Sequence, residues 1–104
     1  MLPDESLDHE QFARVSKALG HPARIKIVEH LASSDRCVCG KIVDVLPLAQ
    51  STVSQHLKIL KEAGVIRGEV EGPRICYCIN WTVIERYKKA VAALGPASGR
   101  KVWL

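Results

Sequence analysis

The residues of this chain with the clearest chemistry are its four cysteines, which form two Cys-x-Cys pairs, Cys37-Val38-Cys39 and Cys76-Tyr77-Cys78. A cysteine thiolate is a nucleophile and a ligand for soft ions. In a reducing cytoplasm, four cysteines are more typical of thiolate ligands or redox thiols than of structural disulfides. The pairs therefore predict a site for a thiophilic ion or for reversible oxidation, and packed strand cysteines without a ligand are the simpler alternative.

Size and composition limit what can hold these cysteines in place. A chain of 104 residues with 47% apolar content is one domain with a modest core, which would gain from burying further surface against a copy of itself. We expect a cytoplasmic protein, because no stretch is long and apolar enough to span a membrane and the acidic N-terminus does not resemble a signal peptide. The net charge of +4 fits a polyanionic partner without requiring one, and residues 1–11 carry four acids and no Lys or Arg.

The hydrophobic periodicity predicts an α+β, mostly α domain over residues 1–94 and a flexible tail over 95–104. Helical spacing and breaker residues indicate about five helices and a β-hairpin with a short third strand. The predicted helices are 7–19, 22–32, 41–46, 50–63 and 82–94, and the predicted extended segments are 36–39, 65–70 and 74–79. A short helix, a tight connection at Pro47-Leu48 and a longer helix have the spacing of a helix-turn-helix.

The helix from Gln50 carries the features expected of DNA recognition. Val53, Leu57 and Leu60 fall on one apolar stripe, and His56 beside it is interpreted as a packing residue. Small polar side chains with one Gln and one Lys on the opposite face suit a major groove, and arginines on the hairpin suit phosphate contacts. The predicted DNA-binding residues are Gln50, Ser51, Thr52, Ser54, Gln55, Lys58, Arg67 and Arg74.

Several segments resemble the ArsR/SmtB family of winged-helix metalloregulatory repressors, of the arsenic-sensing type. They are Ala18-Leu19-Gly20-His21-Pro22-Ala23-Arg24, Arg36-Cys37-Val38-Cys39-Gly40, Gln50-Ser51-Thr52-Val53-Ser54-Gln55-His56-Leu57 and the hairpin, within residues 10–94. The resemblance implies a winged helix-turn-helix homodimer, held by its first and last helices, that binds a double-stranded DNA operator until an inducer arrives. It implies no required cofactor.

The chain departs from the family pattern at three places. Ile42 stands where one type of arsenic repressor has a third cysteine, so a further ligand must come from elsewhere. Glu85 is the only candidate for the interfacial zinc ligands of the last helix, so that site looks absent. Ala49 stands where the family often has a serine cap, which would cost about 1 kcal/mol of helix-end stability if no other group substitutes.

The winged-helix fold would bring the two cysteine pairs together, because it pairs the strand around Cys37 with the second hairpin strand. Side chains alternate along strands. If Val38, Ile75, Tyr77 and Ile79 face the core, then Cys37, Cys39, Cys76 and Cys78 share the opposite face and form the predicted metal site. Three thiolates suit arsenite or antimonite, the expected inducer, and four suit zinc or cadmium.

Other function classes remain open at the level of sequence. An enzyme is not expected, because there is no Gly-rich phosphate loop and no nucleophile and base pair. A winged helix that binds only protein is disfavoured by the polar, acid-free face of residues 50–58. The thiols could instead form reversible disulfides that report oxidants, or the regulator could ignore metals altogether.

Overall fold

The computed structural model of the chain describes residues 6–34, 37–39 and 47–95. Within them the elements are α1 (His9–Leu19), α2 (Pro22–Ala32), β1 (Val38–Cys39), α3 (Gln50–Glu62), β2 (Ile66–Glu71), β3 (Arg74–Ile79) and α4 (Trp81–Ala92). The predicted helix at 41–46 and all but the first residue of the predicted tail lie outside the described residues. None of the helices in the described ranges is long and apolar enough to cross a membrane.

Side-chain caps decide where the helices begin. The Asp8 carboxylate accepts a hydrogen bond from the Gln11 amide at 2.8 Å, so α1 starts at His9 rather than at the predicted Leu7. The Asn80 side chain accepts from the Val83 amide at 3.4 Å, which moves the start of α4 to Trp81. α3 is different, because Ala49 makes no side-chain cap hydrogen bond. The predicted loss of a cap at the recognition helix is confirmed.

The three strands form one antiparallel sheet in the order β1-β3-β2, as predicted. Two glycines have positive φ at the turns next to the strands: Gly64 (φ 83°) lies just after the end of α3, and Gly72 (φ 61°) lies in the hairpin turn. The hairpin register pairs Ile66 with Ile79 at one end and Glu71 with Arg74 at the other. The hairpin therefore projects as a wing from the end of α3.

The core lies where α1, α2 and α3 meet the base of this sheet. Ile27, Leu60 and Val65 are fully buried at its centre. The last helix packs against the first, where the rings of Phe12 and Tyr87 meet edge-on with centroids 5.5 Å apart and the Tyr87 hydroxyl lies 3.1 Å from the Ser16 hydroxyl. These contacts attach α1 and α4 to each other at one side of the domain.

Candidate thiol cluster and nucleic-acid interface

The sheet arranges the four cysteines in two rows that cross all three strands. Cys39 pairs with Cys76, which pairs in turn with Glu69 on β2. One step along, Cys37 is bonded to Cys78, which pairs with Arg67. Because successive side chains on a strand alternate between faces, both rows lie on the same face of the sheet. We call the set Cys37, Cys39, Cys76 and Cys78 the thiol cluster.

The structure joins the cluster by two disulfides, Cys37 to Cys78 and Cys39 to Cys76. The Cα atoms are 4.3 Å apart in the first pair and 4.0 Å apart in the second. The predicted gathering of the four cysteines is therefore observed, in the oxidised form that the sequence left as an alternative. Binding of an ion by thiolates requires the reduced form, and the assignment of the four residues as metal ligands stays a prediction.

The prediction of which strand side chains point toward the core is correct except at Ile75. Val38 and Tyr77 pack against the core cluster and Ile79 belongs to it. Ile75 has the same parity but is 50% exposed, because it lies near the hairpin tip, beyond the reach of the core. Its predicted core position was wrong.

Two of the cysteines are more protected than the prediction implied. Cys76 and Cys78 are only 2% and 8% exposed although they point away from the core. β3 is the central strand, so each of them has a neighbouring strand on both sides and a disulfide partner covering it. Cys37 and Cys39 on the edge strand are partly exposed. Access to the cluster is therefore through β1.

The sequence reasoning overlooked the acidic neighbour of the cluster. A carboxylate oxygen of Glu69 and the sulfur atoms of Cys37 and Cys78 all lie within 4.8 Å of one another. Beside them is a cavity of about 180 Å³, lined in part by Cys37, Arg67 and Trp81. Alternation along β2 indicates that residues 67 and 69 share a face, but only the hairpin register shows which cysteines they meet.

The recognition helix α3 presents the polar face that the sequence predicted. Val53, Leu57 and Leu60 are buried. The predicted base- and phosphate-contacting residues of this helix are all exposed: Gln50, Ser51, Thr52, Ser54, Gln55 and Lys58. The helix therefore offers hydrogen-bonding groups and a cation along its free face while its apolar stripe holds it to the domain.

His56 packs α3 against the start of α2, in agreement with its interpretation as a packing residue. It is 8% exposed, and its ring centroid is 4.6 Å from that of His21. The His21 Nδ1 accepts a hydrogen bond from the Ala23 amide at 3.1 Å, which makes His21 the N-cap of α2. Burial, followed by electrostatic interaction with His21 and Arg24, lowers the pKa of His56. The fold therefore favours the neutral form of this imidazole.

The two wing arginines are exposed but lie at opposite ends of the hairpin. Arg74 pairs with Glu71 at the tip, whereas Arg67 pairs with Cys78 beside the thiol cluster. Four ladder steps separate them, which is roughly 13 Å at the usual strand rise. Arg67 therefore lies directly across the strand pair from one member of the cluster, and Arg74 lies two residues before another, Cys76, on β3.

Comparison with known proteins agrees with this architecture. Residues 21–67 match the model of the family described as "Bacterial regulatory protein, arsR family". The HTH-type transcriptional repressor SmtB of Mycobacterium tuberculosis is 48% identical over 75 residues, which are 72% of this chain and 53% of that protein. The chain thus spans about half the length of that relative. An uncharacterized HTH-type transcriptional regulator of Methanocaldococcus jannaschii, MJ1325, is 40% identical over 84 residues, covering 80% of this chain and 90% of the relative.

The fold has a solved counterpart of similar extent. The solution structure of a homodimeric winged helix-turn-helix DNA-binding domain, Mb0332 from Mycobacterium bovis, superimposes with a TM-score of 0.65 at 30% identity. The match covers 82% of this chain and 79% of that one. The predicted winged helix-turn-helix fold is confirmed. The prediction that the chain is not an enzyme is confirmed as well, because the relatives SmtB and MJ1325 are described as transcriptional regulators. The chain belongs to the arsR family of bacterial regulatory proteins.

Proposed function

We propose that this protein is a DNA-binding transcriptional repressor whose affinity for its operator is controlled by chemistry at the thiol cluster. One observation carries the proposal: the cluster ties β1 to the wing strand β3 in the same row as Arg67. A change at the sulfur atoms therefore acts directly on a candidate phosphate contact. The similarity to the repressor SmtB supports the assignment as a repressor. The similarity to the DNA-binding domain Mb0332 supports the assignment of DNA binding.

DNA binding is assigned to α3 and the wing. The exposed polar face of α3 would enter the major groove, where Gln55 can pair with a base edge and Lys58 can neutralise a phosphate. Arg67 and Arg74 would contact the backbone on either side. His56 contributes by holding α3 in place rather than by touching a base, since it is buried.

Dimerisation is assigned to α1 and α4, which pack together at one side of the domain. On and just after α4 the apolar side chains of Trp81, Val91 and Leu94 are exposed. A second copy covering this side would bury them and would present two recognition helices to successive half-sites. The homodimeric state of the Mb0332 domain supports this arrangement.

The proposed inducer is trivalent arsenic or antimony, bound by the reduced cluster. Three thiolates satisfy such an ion, and four are available across two adjacent strands. Bonds from the cysteines of β1 and β3 to one ion would change the distance between these two strands. β1 precedes α3 in the chain and β3 belongs to the wing, so the two DNA-contacting elements would move relative to each other. A coupling of a few kcal/mol is sufficient for induction.

A thiol-redox response is a second candidate, which the direct pairing of the cysteines favours. Each cysteine has its bonding partner immediately across the strand pair, so oxidation requires little backbone movement. In this reaction two thiols lose two protons and two electrons to a peroxide and form one S–S bond, while hydrogen peroxide is reduced to two waters or an organic hydroperoxide to an alcohol and one water.

The test is a fluorescence-anisotropy titration of the reduced protein on its own upstream DNA, repeated with arsenite, antimonite, cadmium, zinc and a mild peroxide. Cys76→Ser and Cys78→Ser remove cluster members, and Glu29→Gln at an exposed position of α2, a helix assigned neither to DNA binding nor to dimerisation, serves as a control that changes charge elsewhere. Release by arsenite that the cysteine variants lose supports the proposed inducer. Release by peroxide alone supports the redox candidate. Release by none of these agents contradicts control through the thiol cluster.

A further inference from the structure

We propose that the reduced Cys37 and Cys78 thiolates, together with the Glu69 carboxylate, form a mixed-ligand site for a divalent cation, Zn²⁺ or Cd²⁺. The inference rests on the proposed function, because it names the class of ion that two members of the thiol cluster, Cys37 and Cys78, would bind. It adds Glu69, which lies outside the four predicted ligands, and it does not use Cys39 and Cys76.

The first argument is geometric. The two sulfur atoms and a carboxylate oxygen of Glu69 lie within 4.8 Å of one another. Around one tetrahedral zinc ion two sulfur ligands are about 3.8 Å apart and a sulfur and an oxygen ligand about 3.6 Å apart, given Zn–S bonds near 2.3 Å and Zn–O bonds near 2.1 Å. Once the disulfide is reduced, the sulfur atoms separate toward that distance, and Glu69 needs only a side-chain rotation. In the parts of the chain that the structure describes, no other trio of His, Cys, Asp or Glu side chains meets this closely.

The second argument is topological. Cys37 lies next to β1 and is bonded to Cys78 on β3, and Glu69 on β2 pairs with Cys76, so Glu69 approaches these two cysteines diagonally from the neighbouring row. The Glu69 side chain is exposed and makes no hydrogen bond or ion pair within the described residues. Its carboxylate is therefore available without breaking an existing interaction. The cavity of about 180 Å³ beside Cys37 and Cys78 leaves room for a fourth ligand such as water.

The third argument is the chemistry of the donor set. Two soft thiolates and one hard carboxylate suit a borderline divalent ion, whereas trivalent arsenic requires three thiolates. Two thiolates and one carboxylate around a divalent ion leave a net charge of −1, and the Arg67 guanidinium in the adjacent register position can compensate it. Arg67 would then be drawn toward the site, away from phosphate. Divalent ions and arsenite are thus expected to compete for Cys37 and Cys78.

The test measures Zn²⁺ and Cd²⁺ binding by the full reduced chain without DNA, in competition with a chromophoric chelator. Glu69→Gln is expected to weaken Zn²⁺ binding at least about tenfold, a loss typical of a disturbed metal site, and Cys37→Ser is expected to weaken it further. Glu62→Gln removes the same charge on α3 and is expected to change nothing. The double variant Cys39→Ser/Cys76→Ser is expected to keep Zn²⁺ binding but to lose arsenite binding, because only two thiolates remain.

X-ray absorption of the zinc-loaded protein provides a second readout. The proposal requires two sulfur neighbours per zinc, with oxygen filling the remaining positions. Four sulfur neighbours, unchanged Zn²⁺ affinity in Glu69→Gln, or no Zn²⁺ and Cd²⁺ binding by the reduced wild-type chain would each overturn it. These results are separate from the proposed function, which fails only if thiol reagents and metalloids leave operator binding unchanged.

Discussion

Reduction of the two disulfides is expected to lower the free energy of unfolding by about 6 kcal/mol, and not by the roughly 8 kcal/mol that two independent loops would give. The bond between Cys37 and Cys78 links residues 41 positions apart and restricts the unfolded chain. In the chain-entropy model a closed loop of that size contributes about 4 kcal/mol at 25 °C. The bond between Cys39 and Cys76, 37 positions apart, lies inside the first loop. Once the outer bond has formed, the inner one closes a loop of only about six residues, which in the same model adds about 2 kcal/mol.

The assay is urea denaturation of the oxidised and the reduced full chain, followed by far-ultraviolet circular dichroism. A change of about 6 kcal/mol is a large part of the 5 to 15 kcal/mol typical of small domains, so a clear shift in midpoint is expected. The double variant Cys39→Ser/Cys76→Ser, when oxidised, is expected to retain most of the stabilisation, because it keeps the outer bond. Stabilisation that is absent, or that is halved in this variant, would refute the nested-loop reasoning.

Three further predictions concern the recognition helix and the wing. Ala49→Ser supplies the missing cap of α3 and is expected to raise the free energy of unfolding by about 1 kcal/mol, measured by denaturation, whereas an unchanged midpoint would mean that another group already caps the helix. The lowered pKa of His56 means that the unfolded chain binds the proton more tightly, so stability is full above the ordinary histidine pKa of about 6.5 and falls as pH drops through and below it. Denaturation midpoints against pH should show a smaller decline in His56→Leu, and an equal decline would assign the effect to other groups. Arg67→Gln is expected to weaken operator binding similarly for specific and unrelated DNA and to reduce the salt slope by about one, while a loss confined to the specific sequence would indicate a base contact.

The local elements could be predicted because their causes are local. The stripe of Val53, Leu57 and Leu60 specifies which side of α3 is buried, and the glycines at 64 and 72 mark its end and the hairpin turn. The boundary errors at α1 and α4 arose where a cap residue, Asp8 or Asn80, set the start of the helix more strongly than the apolar periodicity did. The exposed polar face of α3 was predictable from the same helical periodicity that identified its buried apolar face.

The sequence by itself determined that the four cysteines share a face within each strand, because side chains alternate with a period of two wherever a strand forms. Only the tertiary structure decided which cysteines meet, since the partners lie 37 and 41 positions apart and their pairing depends on the register between strands. The same register brings Glu69 and Arg67 to the thiol cluster. It also places Ile75 beyond the core, because the distance of a residue from the packed helices is a property of the whole fold, whereas alternation is a property of each strand.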